Sequence, residues 1–168
     1  MYCDFYSVSQ RENEIPHFID MLCKEIDLFA ENYDTNLLID TIFIGGGTPS
    51  LLNKGSIEKI FNTLYKYFNL SELDEITIES NPGEAPKERL KDFIDLGINR
   101  LSIGFQSFDD TILQFLDRNH TSKDCLTIYH NAREVGFDNI NIDLIFDIPG
   151  QGIELWKKDL QTAIELNP

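Results

Sequence analysis

With 168 residues, 42 % of them apolar and 26 % charged, the chain is long enough to bury a core and too apolar to be disordered. Its net charge of −15, from 29 acidic and 14 basic residues, repels phosphate backbones and anionic lipid, which excludes nucleic acid as a general partner. No apolar run approaches the roughly 20 residues of a membrane helix. The start, Met1-Tyr2-Cys3-Asp4, lacks the basic and apolar stretches of a signal peptide, so no membrane insertion and a cytoplasmic location are expected.

In chain order, Ile15, Phe18, Ile19, Leu22, Ile26 and Phe29 recur at helical spacing and predict a first helix over residues 12–30. Residues 40–44 are short, β-rich and followed by three glycines, the pattern of a buried strand. Helical period returns over 56–68 through Ile57, Ile60, Phe61, Leu64 and Phe68. A strand is predicted at 75–79, stopped by Asn81-Pro82-Gly83. Next comes a helix at 86–96, with Pro86 in its first turn and Gly97 as its cap. Residues 100–104 read as a strand, 109–116 and 122–135 as helices, 139–146 as a strand stopped by Pro149-Gly150, and 153–166 as the last helix.

The predicted order, α-βα-βα-βαα-βα, implies an α/β fold with a parallel sheet and right-handed crossovers. A (β/α) barrel and a doubly wound sheet both satisfy it. In either, ligands collect at the C-terminal ends of the strands. Those ends read Gly45-Gly46-Gly47-Thr48-Pro49-Ser50, Glu79-Ser80-Asn81-Pro82-Gly83, Gly104-Phe105-Gln106-Ser107, and Asp143 with Asp147-Ile148-Pro149-Gly150. Polar or glycine-rich groups at all four point to one shared site.

Individual residues carry two readings each. The glycine run lets a backbone approach a ligand and expose N–H groups, or it is a tight turn. It is no P-loop, because no Gly-Lys-Ser/Thr follows. Glu79 can accept from hydroxyls or an ammonium group, or cap the next turn. Gln106 offers a donor and an acceptor to a ligand, or bonds to loop backbone. Arg118 can grip a carboxylate with two parallel bonds, or sit on an acidic surface. His120 reads as structural. Asp143 ends an apolar strand, where an acid needs a partner. Of the three cysteines, Cys23 and Cys125 lie among apolar residues as buried thiols, whereas Cys3 stands between aromatics and an acid. An odd, sparse set is no disulfide framework.

Tyr2-Cys3-Asp4-Phe5 resembles the end of the Cys-x3-Cys-x-aromatic-Cys signature of radical S-adenosylmethionine (SAM) enzymes. With Gly-Gly-Gly-Thr-Pro-Ser at 45–50, Glu-Ser-Asn-Pro-Gly at 79–83, Asn-Arg-Leu-Ser-Ile-Gly-Phe-Gln-Ser-Phe at 99–108, Asp-Arg-Asn-His at 117–120, Ile-Asp-Leu-Ile-Phe at 142–146 and Pro-Gly-Gln at 149–151, the whole chain resembles the oxygen-independent coproporphyrinogen III oxidase family, including its HemW-type haem-chaperone relatives. The resemblance implies a partial TIM-type barrel of six strands, of which four are present here, so residues 1–168 form one incomplete radical SAM core domain. It implies a [4Fe-4S] cluster held by cysteines, with Cys3 as its third ligand and SAM on the fourth iron. By the same resemblance Tyr2 lies against SAM, Gly46, Gly47 and Thr48 hold its methionine end, and Glu79, Gln106, Arg118 and Asp143 hold the rest. The partners it implies are a porphyrinogen or haem, and an electron donor.

The first two cluster cysteines of that signature are absent. The expectation is a chain cut short at both ends and inactive alone, with Cys23 and Cys125 no substitutes. The Cys-Asp-Phe-Tyr-Ser start leans toward the haem-chaperone branch rather than the oxidase.

Overall fold

The computed structural model describes residues 10–168; Tyr2 and Cys3 lie outside the described residues. Four strands, β1 (Thr41–Ile44), β2 (Glu75–Ser80), β3 (Arg100–Gln106) and β4 (Asn139–Leu144), stand side by side in chain order. All three pairings are parallel. Six helices connect and flank them: α1 (Ile15–Asn32), α2 (Lys54–Tyr67), α3 (Lys87–Asp95), α4 (Asp110–Phe115), α5 (Ser122–Val135) and α6 (Ile153–Leu166). This is the α/β arrangement that the element order predicts.

Local chemistry sets the boundaries. α2 starts at Lys54, two residues before the periodicity does, because the Asn53 side chain accepts from the Ser56 N–H. Thr121 and Asp124 form a reciprocal capping box at the start of α5, and Gly136, at φ 112°, closes it. A short 3-10 turn, Pro49–Leu51, sits unpredicted between the glycine run and α2. β3 runs two residues past the prediction, to Gln106, through an irregularity between Gly104 and Gln106. β4 stops two residues early, at Leu144, and beyond it the Ile145 N–H reaches the Gln106 carbonyl at 2.9 Å.

The register stacks Ile44 beside Ile78, Ile78 beside Leu101 and Leu101 beside Ile140. These residues face the helices and join Ile57, Phe61, Leu90, Phe93, Ile128 and Ala132 in the main core. Helix α1 packs outside α2 through Ile19, Cys23 and Ile60. The alternate positions face the other way and are mostly polar: Thr77 beside Arg100, Glu79 beside Ser102 beside Asn141, and Gly104 beside Asp143. Among the described residues no helix is long and apolar enough to cross a membrane.

Candidate functional site at the strand ends

The polar face leads up to the C-terminal ends of the strands, where the loops meet. After β1, Gly46 and Gly47 take φ values of 81° and 53°, which a side chain rarely adopts, so the glycines are required by the turn itself. This turn aims the Gly46 N–H at the Glu79 Oε2, 2.9 Å away at the end of β2. Glu79 therefore binds the neighbouring loop, not the turn that follows it. A carboxylate has about four lone-pair sites, so this bond leaves acceptor capacity for a ligand.

Asn81 forms the next link. Its Nδ2 lies 3.5 Å from Thr48 Oγ1 and 2.9 Å from Glu84 Oε2, and its Oδ1 accepts from Arg118 at 2.7 Å. Arg118 also donates to the Gly104 carbonyl at 3.0 Å. Gly104 leaves room for the polar groups around it: a Cβ would lie 2.7 Å from the Gln106 Nε2, 3.1 Å from Asn81 Oδ1 and 3.2 Å from the Arg118 guanidinium, so a side chain there would push the Gln106 amide aside. Gly104 pairs with Asp143 across the sheet, and Asp143 accepts from Asn141 at 2.7 Å. Six nominated residues, Gly46, Thr48, Glu79, Gln106, Arg118 and Asp143, thus border one strand-end region, some through hydrogen bonds and Gln106 and Asp143 through their places beside Gly104, with Gly47 in the same turn. Asp143 is exposed on the polar face, so the partner it needed is a neighbouring amide and not a buried ion pair.

Two groups in this region had not been singled out from the sequence as site residues. Asn81 joins three loops, although only its motif is visible in the chain. Arg89, on α3, donates to the carbonyls of Ser50, Leu51 and Leu52 and so fastens the 3-10 turn beside the glycine loop. His120 is buried, with Nε2 3.2 Å from the Phe105 carbonyl. Since a carbonyl only accepts, that nitrogen carries the proton. Burial, and then the nearby Arg118 charge, hold its pKa below the usual histidine value, against the pull of the Phe105 bond.

A parallel (β/α) sheet whose strand ends gather a carboxylate, a guanidinium, an amide and a glycine turn places the chain in the (β/α) class, with its polar groups where that class collects them. A profile of the Radical SAM superfamily matches residues 1–163, and the chain belongs to that superfamily. It is 36 % identical over 168 residues to "Heme chaperone HemW" of Bacillus subtilis and 37 % over 169 residues to that of Escherichia coli K12, in each case over 99 % of this chain and 44 % of the relative. The chain spans less than half the length of these curated relatives. Among solved structures, Escherichia coli coproporphyrinogen III oxidase (HemN), described as a radical SAM enzyme, superposes with a TM-score of 0.86 at 30 % identity, over 99 % of this chain and 38 % of that one. The fold is therefore that of the radical SAM partial barrel.

The described residues fit SAM. Its amino-acid end needs a carboxylate and a guanidinium within one polar cradle, and its sugar needs amide and carboxylate partners; Glu79, Arg118, Gln106 and Asp143 are groups of those kinds. They do not supply a cluster site. Among the described residues no three His, Cys, Asp or Glu side chains stand where they could hold a metal ion. Cys125 is fully buried, and burial pushes its thiol up to about 12, which opposes the thiolate a metal needs. Cys23 is buried against α2, with its Sγ 3.9 Å from the Lys59 carbonyl.

Proposed function

We propose that these residues form the SAM-holding wall of a cytoplasmic radical SAM protein of the oxygen-independent coproporphyrinogen III oxidase and HemW group, working on a porphyrinogen or haem with an external electron donor. The observation that carries this reading is a pair of hydrogen-bonded groups side by side at the strand ends, Gly46 with Glu79, and Thr48 through Asn81 and Arg118 to Gly104, joined by the glycine turn that runs from Gly46 to Thr48. When bound, SAM and a [4Fe-4S] cluster supply one-electron radical chemistry that no side chain provides.

The chain's own residues bind and orient. Arg118, held through Nη2 by Asn81 and the Gly104 carbonyl, places its positive charge beside the SAM carboxylate. Glu79, held by the Gly46 N–H, accepts from its ammonium group or a hydroxyl. Gly46, Gly47 and Thr48 shape the wall around the methionine end, Gln106 and Asp143 take further polar groups, and Tyr2 is the aromatic that the family resemblance assigns to SAM. Cys3 is the cluster ligand of this chain.

Between the two branches, the haem-carrying one is favoured. Relatives 35–40 % identical over nearly the whole chain are named "Heme chaperone HemW", against 30 % identity for the coproporphyrinogen III oxidase structure. Anaerobic reconstitution with iron and sulfide of a chain extended upstream to include any Cys-x3-Cys, then iron analysis, SAM binding and haem titration, tests both levels. Cys3→Ala should lose iron, and Cys23→Ser and Cys125→Ser should keep it. SAM binding that survives Arg118→Ala and Glu79→Gln overturns the site. Haem binding without loss of porphyrinogen carboxyl groups selects the carrier, and decarboxylation selects the oxidase.

A further inference from the structure

Beyond the array at the strand ends lies a buried acid with no contact to it. Asp159, on the inward side of α6, is 1 % exposed. A carboxylate so placed is costly unless its oxygens are bonded. Both are: Oδ2 accepts from the Ser107 hydroxyl at 2.6 Å and Oδ1 from the Phe108 N–H at 2.9 Å. Ser107 is itself fully buried, and its Oγ accepts from the Asp109 N–H at 3.1 Å.

The segment so held is strained. Gln106 has φ 71°, and the Ser107 N–H bonds back to the Phe105 carbonyl at 2.9 Å. A hydrogen bond spanning one residue at that φ is the γ-turn of the rare, strained kind. Such a turn persists only where its surroundings over-determine it. A glycine would relax it, yet the chain carries a glutamine there, whose amide reaches the space beside Gly104 and Arg118. The restraints are the Ile145 N–H on the Gln106 carbonyl within the turn and the Asp159 carboxylate on Ser107 and Phe108 at its far end.

We infer that Asp159 is a positioning residue for the ligand site: from α6 it holds the strained turn that presents Gln106 to SAM. This rests on the reading of the strand ends as the SAM site. It predicts that Asp159 acts on the ligand only through Gln106.

The experiment combines SAM dissociation constants with amide hydrogen exchange on the reconstituted protein, for wild type, Asp159→Ala, Asp159→Asn, Gln106→Ala and the Asp159→Ala/Gln106→Ala pair. Asp159→Ala should raise exchange at Ser107, Phe108 and Asp109 while leaving β2 protected, and weaken SAM by about 10- to 100-fold. Asp159→Asn, which restores an acceptor to Phe108, should recover most of both. In the Gln106→Ala background the Asp159 change should add less than about twofold. Effects that multiply would make Asp159 a general stabiliser and overturn the inference, as would unaltered exchange at Ser107 and Phe108. Should Asp159→Ala fail to fold, Ser107→Ala removes one of the two bonds and must show the same pattern in weaker form. If wild type binds no SAM, the functional reading falls, and the exchange data alone decide whether Asp159 holds the turn.

Discussion

The two faces of the sheet are built from the same strands by opposite rules. Toward the helices stand Ile76, Ile78, Leu101, Ile103 and Ile140, each nearly or fully buried. On the other face stand Thr77, Glu79, Arg100, Ser102, Asn141 and Asp143. A parallel sheet covered on both sides reads as near-continuous apolar runs. Here the strands alternate instead: Ile-Thr-Ile-Glu at 76–79, Leu-Ser-Ile-Gly at 101–104 and Ile-Asn-Ile-Asp at 140–143. The difference teaches that one face is spent on stability and the other on a polar surface that rises to the ligand site.

The strongest way to break this division is on the apolar face. Leu101→Ala should cost about 2–5 kcal/mol of unfolding free energy, read by denaturant titration, while the folded protein binds SAM as before. Loss of SAM affinity without loss of stability would show that the faces are not separate. On the polar face, Glu79→Gln should weaken SAM about tenfold, read by calorimetry, with little change in the denaturation midpoint. A large drop in that midpoint would make Glu79 structural.

A smaller effect tests whether the polar face is uniform. Thr77 bonds Glu75 at 2.8 Å and accepts from Arg100 at 3.2 Å, at the end of the sheet away from the loops. Thr77→Val should cost about 1 kcal/mol and leave SAM affinity alone. The smallest effect is a pH dependence. Because the folded pKa of His120 lies below its unfolded value, the unfolded chain takes up the proton first on acidification. Stability should be full above roughly pH 6.5, decline below it, and level off once the folded ring also titrates. His120→Gln should flatten that decline in melting curves taken between about pH 7 and 5.

Much of this architecture is legible in the chain, because strand and helix periods differ and glycine or proline punctuates nearly every junction. The candidate residues Glu79, Gln106, Arg118 and Asp143 can be nominated from the chain too, since each falls at a strand end or in a motif. What escapes is whatever a distant partner decides. The extra length of β3 depends on an N–H donated from beyond β4, and the start of α2 depends on the side chain of Asn53. Asp159 and Arg89 sit on helices whose periodicity reports only their apolar stripes, and their bonds reach 51–52 and 37–39 residues back. The polar face was visible as alternation, had each strand been read by parity and not only by apolar content.

The order of the sheet bears on how the molecule is made. Every strand pairs with its immediate predecessor in the chain, so each unit finds its docking edge already present as it leaves the ribosome, at about 5–20 residues per second. The sheet can grow from one side, with modest loop-closure entropy at each step. The turn at Gln106 cannot be secured so early, because the carboxylate that bonds Ser107 arrives on α6, 52 residues further along the chain. The four strands come first, and the restraint on the turn at Gln106 follows with α6.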